Sequence, residues 1–392
     1  MTVRVNKPAF NIREKLSELE RPIGLKGNEL MRAETAQEAR DFVSAGRKNI
    51  IFNGNMIINQ RGTSFTVNGS ANPYTLDRWA VRRGDISSLT VTKNTSTGLD
   101  SHPNALKVEC TANASQAAGT DTWIRYVVED VDSNSILNYP NSNKSLTLSF
   151  WVRANVAGQY SASITSGDFG DRFIHAFTVN ANTWEYKSFT IPPPSLWGTS
   201  GGYGLRVYFD LGSGSNYQNS TFDQWIYGGS TYAASGNTRV TGVNGRTFEI
   251  TGVQLEVGRN ATEFEHRSYG EELALCQRYY EKFSADDANG GYATFCKGGK
   301  ASNTVIVLEP VFRVPKRAPG ATMSWGGSFR FGGVGGVTSS SLSSIQNQQL
   351  GTHGGYIVLV TSSNASPPNG GDGYRFEGDN DTSAFIAFSS EL

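Results

Sequence analysis

Residues Tyr203–Leu211 read YGLRVYFDL. Tyr203, Leu205, Val207, Phe209 and Leu211 alternate with Gly204, Arg206, Tyr208 and Asp210, which fits a strand with one face toward a core. The same period recurs upstream. Leu146, Leu148, Phe150 and Val152 alternate with Thr147, Ser149 and Trp151, and Trp123–Val128 is a β-branched and aromatic run. In Phe248–Val257 the phase slips: Phe248 and Ile250 share one face, but Val253, Leu255 and Val257 stand one residue out of step. A bulge at Gly252 restores the inward face, because glycine tolerates the backbone a bulge needs. Polar, Gly-rich joints at 113–119, 167–171 and 211–219 separate these runs. So many strands, with no helical pattern between them, predict a two-sheet sandwich from Asn49 to Glu265 rather than a parallel α/β sheet.

Composition agrees. The 392 residues include 44 Gly, 7 Trp and 16 Tyr, and only 18% are charged, against about 25% in ordinary soluble domains. Lys plus Arg and Asp plus Glu are 35 each, which argues against a generally basic nucleic-acid binder and against an acidic disordered chain. No 18-residue apolar stretch exists to cross a membrane as a helix. MTVRVNKPAFNIREK has no apolar run behind its positive charge, so it does not read as a secretory signal. Cys110, Cys276 and Cys296 fit no metal spacing and read as buried thiols, a Cys276–Cys296 bridge being the alternative.

Charge is concentrated at the start: 17 of the first 48 residues are charged, against 53 of the remaining 344. Asn11 with Glu14 reads as an N-cap, ahead of Ile12, Leu16 and Leu19 on one face. Thr35 with Glu38 reads as a capping box, ahead of Ala36, Ala39 and Val43. Such short helices make no core of their own. They are expected to dock on another protein or an oligomer, the alternatives being packing on their own body or a disordered tail. Downstream, Ser268 with Glu271 predicts a third capping box, opening a connecting helix that carries Leu273, Cys276 and Tyr280 and ends near Lys282. Beyond it the pattern is β again. Thr304–Leu308, Tyr356–Val360 and Phe385–Phe388 read as strands, while Gly326–Ser344 and Asn364–Gly373 read as loops. The divisions are therefore 1–48, a helical attachment segment; 49–267, a sandwich; 268–283, a connecting helix; and 284–392, a smaller C-terminal β domain.

Three passages carry a resemblance: NGNMIINQRGTSF at Asn53–Phe65, YTLDRW at Tyr74–Trp79, and FEITGVQLEVGRNATEFEHRSYGEELALCQRYYEKF at Phe248–Phe283. With AETAQEAR at Ala33–Arg40, they resemble tail-fibre and related appendage proteins of tailed bacteriophages, over roughly residues 30–283. The resemblance implies a carbohydrate-binding-like jelly roll, a virion structural role and trimeric assembly. It also implies attachment to other virion proteins through the N-terminal segment, with the C-terminal domain as an outward tip. The chain lacks a coiled-coil or shaft repeat, so a short fibre, spike or head fibre is as open as a long fibre.

Glycan contact needs flat rings for the sugar's C–H face and planar polar groups for its hydroxyls. Tyr217, Phe222, Asp223, Gln224, Trp225, Tyr227 and Tyr232 offer both within one loop, and Trp197 follows a Pro192-Pro193-Pro194 run. Oligomer contact and loop packing are the competing readings. A second surface combines Trp325, Phe329, Arg330, Phe331, His353, Tyr374 and Arg375, with plain packing as its rival. Jelly rolls of the resembled kind often hold a structural calcium. Asp77, Asp121 and Glu256 are the available hard oxygen ligands, without a calcium-loop spacing. A polysaccharide hydrolase needs two carboxylates across the scissile bond, and Asp168 with Asp171 or Asp379 with Asp381 are the pairs on offer. No GxSxG, Walker or HExxH motif accompanies them. The expectation is a non-enzymatic adhesion protein, with a structural adaptor and a polysaccharide-degrading tailspike as alternatives.

Overall fold

The computed structural model describes residues 48–68, 72–84, 87–137, 144–193, 198–285, 291–300, 305–333, 336–340, 342–361 and 374–392. Asn11, Ile12, Leu16, Leu19, Thr35, Val43 and the rest of the predicted attachment helices lie outside them, as do Trp197 and Asn364–Gly373. Residues Asn49–Leu392 form one compact unit.

Two six-stranded antiparallel sheets make a jelly-roll sandwich. The first sheet runs β1 (Ser64–Val67), β3 (Ser88–Asn94), β4 (Ala105–Ala112), β14 (Thr247–Val257), β6 (Leu146–Ala154) and β9 (Glu185–Ile191). The second runs β12 (Trp225–Tyr227), β8 (Asp171–Val179), β7 (Gly158–Ser166), β10 (Tyr203–Asp210), β5 (Trp123–Glu129) and β2 (Trp79–Arg82). Their inward residues meet in one core, in which Leu205, Val207 and Phe209 of β10 face Leu148, Phe150 and Val152 of β6. The alternation follows from burying one face of each sheet. The register of β14 against β6 shifts between Thr251 and Gln254, and Gly252 takes φ +58°, so the bulge lies where the phase slip put it. A two-stranded parallel pair, β11 (Gln218–Asn219) with β13 (Ala233–Ala234), lies in the long connection after β10.

One helix interrupts the sandwich contrary to expectation: α1 (Asp130–Leu137), reading DVDSNSIL. Its sequence has no apolar stripe, so nothing in the periodicity announced it. The Ser268 capping box forms as read, and α2 (Tyr269–Gln277) follows. The expected helix to residue 283 is corrected, however. The chain turns at Arg278, and Tyr280–Ser284 becomes strand β15, pairing with β24 (Phe385–Ser389). A partner strand about a hundred residues away outweighs the local helical spacing.

The smaller β part contains two further antiparallel sheets. β18 (Thr322–Gly326) completes the three-stranded sheet β15-β24-β18. The other sheet runs β20 (Gly336–Ser340), β19 (Phe329–Gly333), β23 (Tyr374–Gly378), β16 (Thr294–Lys300), β17 (Val305–Glu309), β22 (Gly355–Thr361) and β21 (Leu342–Leu350). The loop read at Gly326–Ser344 is therefore also corrected. Its Gly and Ser residues are held as strands by pairing of β19 with both β20 and β23. None of the three cysteines is in a disulfide, and Cys110 and Cys276 are buried while Cys296 is half-buried.

The three passages that carried the resemblance converge on one polar knot. Asn53 donates its side-chain amide to the carbonyls of Ile58 and Asp77, both at 2.9 Å, and its backbone N–H bonds Glu272. Trp79 Nε1 donates to the Asn53 carbonyl at 3.0 Å. Asn49 ties to Val253 and Leu255 of β14, and Arg267 to Ile51 and Glu272. These motif residues therefore close the sandwich around α2.

Beside the knot, His102 Nδ1 donates to Asn55 Oδ1 (2.9 Å), and its ring stacks on His266 at 5.7 Å. Burial, aided by His266, pushes the His102 imidazole down to about 4. The unfolded chain takes up this proton near pH 6.5. His102 therefore gives full stability above pH 6.5, lost as pH falls toward 4, and the loss is roughly 3 kcal/mol. Urea titrations at pH 7 and 4.5 are expected to show this loss in the parent, and a smaller one in His102→Asn.

Candidate functional site

The aromatic loop divides into rings that pack and rings that face solvent. Tyr232 is buried, stacks on Tyr208 at 4.9 Å and shares a 2.9 Å hydrogen bond with the Ser213 hydroxyl. Burial and the nearby Asp210 push its phenol far above the ordinary range. Tyr217 packs at 5.6 Å from Tyr232. Trp225 is half-buried, edge-on to Phe173, with Nε1 donating to the Pro192 carbonyl at 2.9 Å. Phe222, Asp223, Gln224 and Tyr227 are exposed, Tyr227 by 55%, and Asp223 pairs with His175 on β8.

In the terminal part, Trp325 is half-buried against that part's core. Arg330 pairs with Glu377 at 2.8 Å and lies over the Tyr292 ring. His353 is exposed beside Thr352, and Arg375 is exposed on β23. Tyr374 opens β23, but its side chain lies outside the described residues. These residues form no single enclosed cluster with the loop of the sandwich.

Sequence reasoning missed the outer face of the second sheet. Because Ile164, Phe173 and Val207 point into the core, Thr165, Arg172 and Arg206 point outward, in one row across three strands. The neighbouring row holds Ser163 and Tyr208. At about 4.8 Å between strands, the two arginine backbones stand roughly 10 Å apart with Thr165 between them. This outward face is nevertheless covered: Ser163, Thr165 and Arg172 have no exposure and Arg206 has 7%. Arg206 lies 3.8 Å from the Phe169 ring centre and 4.4 Å from that of Tyr203. Arg172 Nη2 donates to the Phe169 carbonyl at 3.0 Å. Among the described residues, the Ser163 and Thr165 hydroxyls, and Nε and Nη1 of both arginines, have no hydrogen-bond partner. Burial lowers the proton affinity of both guanidiniums. The alternation in YGLRVYFDL already marked Arg206 as outward. That loops bury this outward face was not readable, since it depends on long-range packing.

A second missed feature is the outer surface of the first sheet, where half-buried Trp151 and exposed Tyr186 are register partners with ring centres 5.6 Å apart.

One member of each carboxylate pair, Asp168 and Asp381, serves a turn, while burial and then Asp168 push the carboxyl of Asp171, at the start of β8, above the ordinary range. Burial pushes Asp168 upward, but the Ser166 hydroxyl and Gly170 N–H it accepts outweigh this and hold it below the ordinary range. Asp381 accepts from the Ser383 hydroxyl and N–H and from the Ser328 N–H. Asp77 is buried against Gln60, Asp121 pairs with Arg82, and Glu256 accepts from Gln254 and Thr262. Among the described residues, no group of three His, Cys, Asp or Glu is placed to hold a metal ion.

No family model matches the chain, and no curated protein matches it. Among solved structures, the chain is similar to a family 11 carbohydrate-binding module from Clostridium thermocellum in complex with a β-1,3-1,4-mixed-linked tetrasaccharide. The identity is 12% over 52% of this chain and 98% of that one, with a TM-score of 0.25. It is also similar to a family 4 carbohydrate-binding module, at 13% identity over 53% of this chain and 98% of that one, with a TM-score of 0.26. An arabinose-bound α-L-arabinofuranosidase matches at 11% identity over 51% of this chain but 28% of the enzyme's, with a TM-score of 0.28. At such identities and scores no activity carries over to this chain; the jelly roll stands on its own strand pairing.

Proposed function

We propose that this chain is a non-catalytic glycan-binding protein of a phage virion appendage, and that the outer face of its second sheet is where the saccharide sits. One observation carries the reading: the Thr165 hydroxyl and the Nε and Nη1 atoms of Arg172 and Arg206 lie buried in one row without a partner among the described residues, with Arg206 beside the Phe169 and Tyr203 rings. Buried polar groups are normally satisfied, and those that are not call for a ligand or water. A saccharide supplies hydroxyl partners and a C–H face for rings. Ile226, the register partner of Arg172, carries this face onto the edge strand β12. The turn-capping roles of Asp168 and Asp381 support the non-catalytic reading. The appendage role, trimeric assembly and attachment through residues 1–48 rest on the resemblance. Several copies would turn weak single contacts into firm adhesion.

A glycan array probed with the full chain tests this. Phe169→Ala, which removes the ring beside Arg206, is expected to weaken binding up to about tenfold, the value of one ring contact. Failure to bind any saccharide overturns the reading. The adaptor alternative is favoured by exposed Tyr186 beside Trp151. If it is right, Tyr186→Ala blocks particle assembly while host adsorption of assembled particles is untouched.

A further inference from the structure

We infer that the saccharide is acidic, and that Arg172 and Arg206 receive its carboxylate across Thr165. This rests on the glycan-binding reading above. Elsewhere the chain compensates its buried cations: Arg78 pairs with Glu391, and Lys316 with Glu281 at 2.6 Å. Arg172 and Arg206 are equally buried, yet no carboxylate of the described residues forms an ion pair with either. An uncompensated buried charge is costly, so a fold that keeps two in one row is built for a partner from outside. Guanidinium groups match planar carboxylates, and hydrogen bonds between two charged partners are the strong ones.

Asp171 acts on Arg172 and Asp168 on Arg206 through their charge, without an ion pair among the described residues. Asp168 is already occupied by Ser166 and Gly170. The cover over Arg172 is thin. A side chain added to Gly229 would come 3.3 Å from Arg172 Nη1, and at neighbouring Gly228 nothing lies within 4 Å. Both glycines take left-handed φ, at 68° and 91°. This two-glycine turn is therefore one part of the cover that carries no side chain for a ligand to move.

The test is an array of carboxylated, sulfated and neutral saccharides probed with the full chain, Arg172→Gln and Arg206→Gln. Carboxylated glycans are expected to bind, more weakly as salt rises. Each variant is expected to lose about tenfold to a hundredfold in affinity. Without ligand, both variants are expected to melt no lower than the parent, because a buried unpaired charge has been removed. Arg206→Lys, which keeps charge but not the planar fork, is expected to fall between parent and Arg206→Gln. Binding of neutral glycans alone overturns the acidic assignment and leaves the glycan reading standing. Binding of sulfated glycans alone overturns the carboxylate. Binding of acidic glycans unchanged in both variants removes the arginines, and a lowered melting point in both makes them structural. Absence of any bound saccharide removes the glycan reading as well.

Discussion

Glu391→Ala is expected to destabilise the unit by about 3–5 kcal/mol, the usual cost of breaking a buried ion pair from one side. Arg78 is 1% exposed, and its guanidinium is sandwiched against the Tyr279 ring at 3.3 Å. Its Nη1 pairs with Glu391, while its Nη2 is spent on the Val127 carbonyl. Arg61 also depends on Glu391, at 3.2 Å. Removing that carboxylate leaves a fully buried cation with only uncharged partners, the Val127 carbonyl and the Tyr126 hydroxyl, among the described residues. Glu391→Gln keeps an acceptor but no charge and is expected to lose less. Arg78→Met combined with Glu391→Leu removes both charges and is expected to recover most of the loss. The consequence extends beyond one pair. Glu391 and the Leu392 carbonyl, which accepts from the Tyr74 hydroxyl, fasten the segment after β24 to the sandwich. In urea the parent is expected to unfold in one transition and Glu391→Ala at a lower midpoint. A change under 1 kcal/mol would show that the pair is solvated in solution.

Trp79→Ala is expected to cost about 3–5 kcal/mol, as for other large-to-small aromatic truncations in cores. Trp79 is fully buried, 5.1 Å from the Tyr126 ring and 6.4 Å from that of Phe209. Its indole also holds the Asn53 carbonyl, and Asn53 sits at φ +55° as the hub of the polar knot. The truncation therefore opens a cavity and frees a buried acceptor together. Trp79→Phe refills most of the volume and is expected to cost about half as much, chiefly through the lost hydrogen bond. Equal losses for both variants would assign the effect to Asn53 rather than to packing.

These two positions show what a single sequence makes readable. Alternation in β6 and β10, the phase slip at Gly252 and the Ser268 cap are local signals, and the chain obeys them. Elements decided by distant partners were not readable: β15 has helical spacing but pairs with β24, and the Gly- and Ser-rich β19 and β20 look like loop until β23 joins them. α1 carries no stripe at all. The site divides the same way. Phe222 and Tyr227 stood out as rings in a polar loop, and they are exposed. Tyr217, Tyr232 and Trp225 looked the same in sequence but pack against Tyr208 and Phe173. Arg206 was placed outward by alternation, and Arg172 was not read at all; the burial of both depends on the 167–170 and 227–229 turns folding over them. Composition near a residue says little about such a cover.

The central claim is that the outer face of the second sheet is the ligand face. Proton–nitrogen spectra of the arginine Nε and tryptophan Nε1 groups, recorded while an array-selected glycan is added, report on it directly. The Arg172 and Arg206 resonances are expected to move in step with the ligand, while those of Arg61 and Arg78 stay still. Movement confined to the Trp151 indole, on the opposite sheet, would contradict the claim.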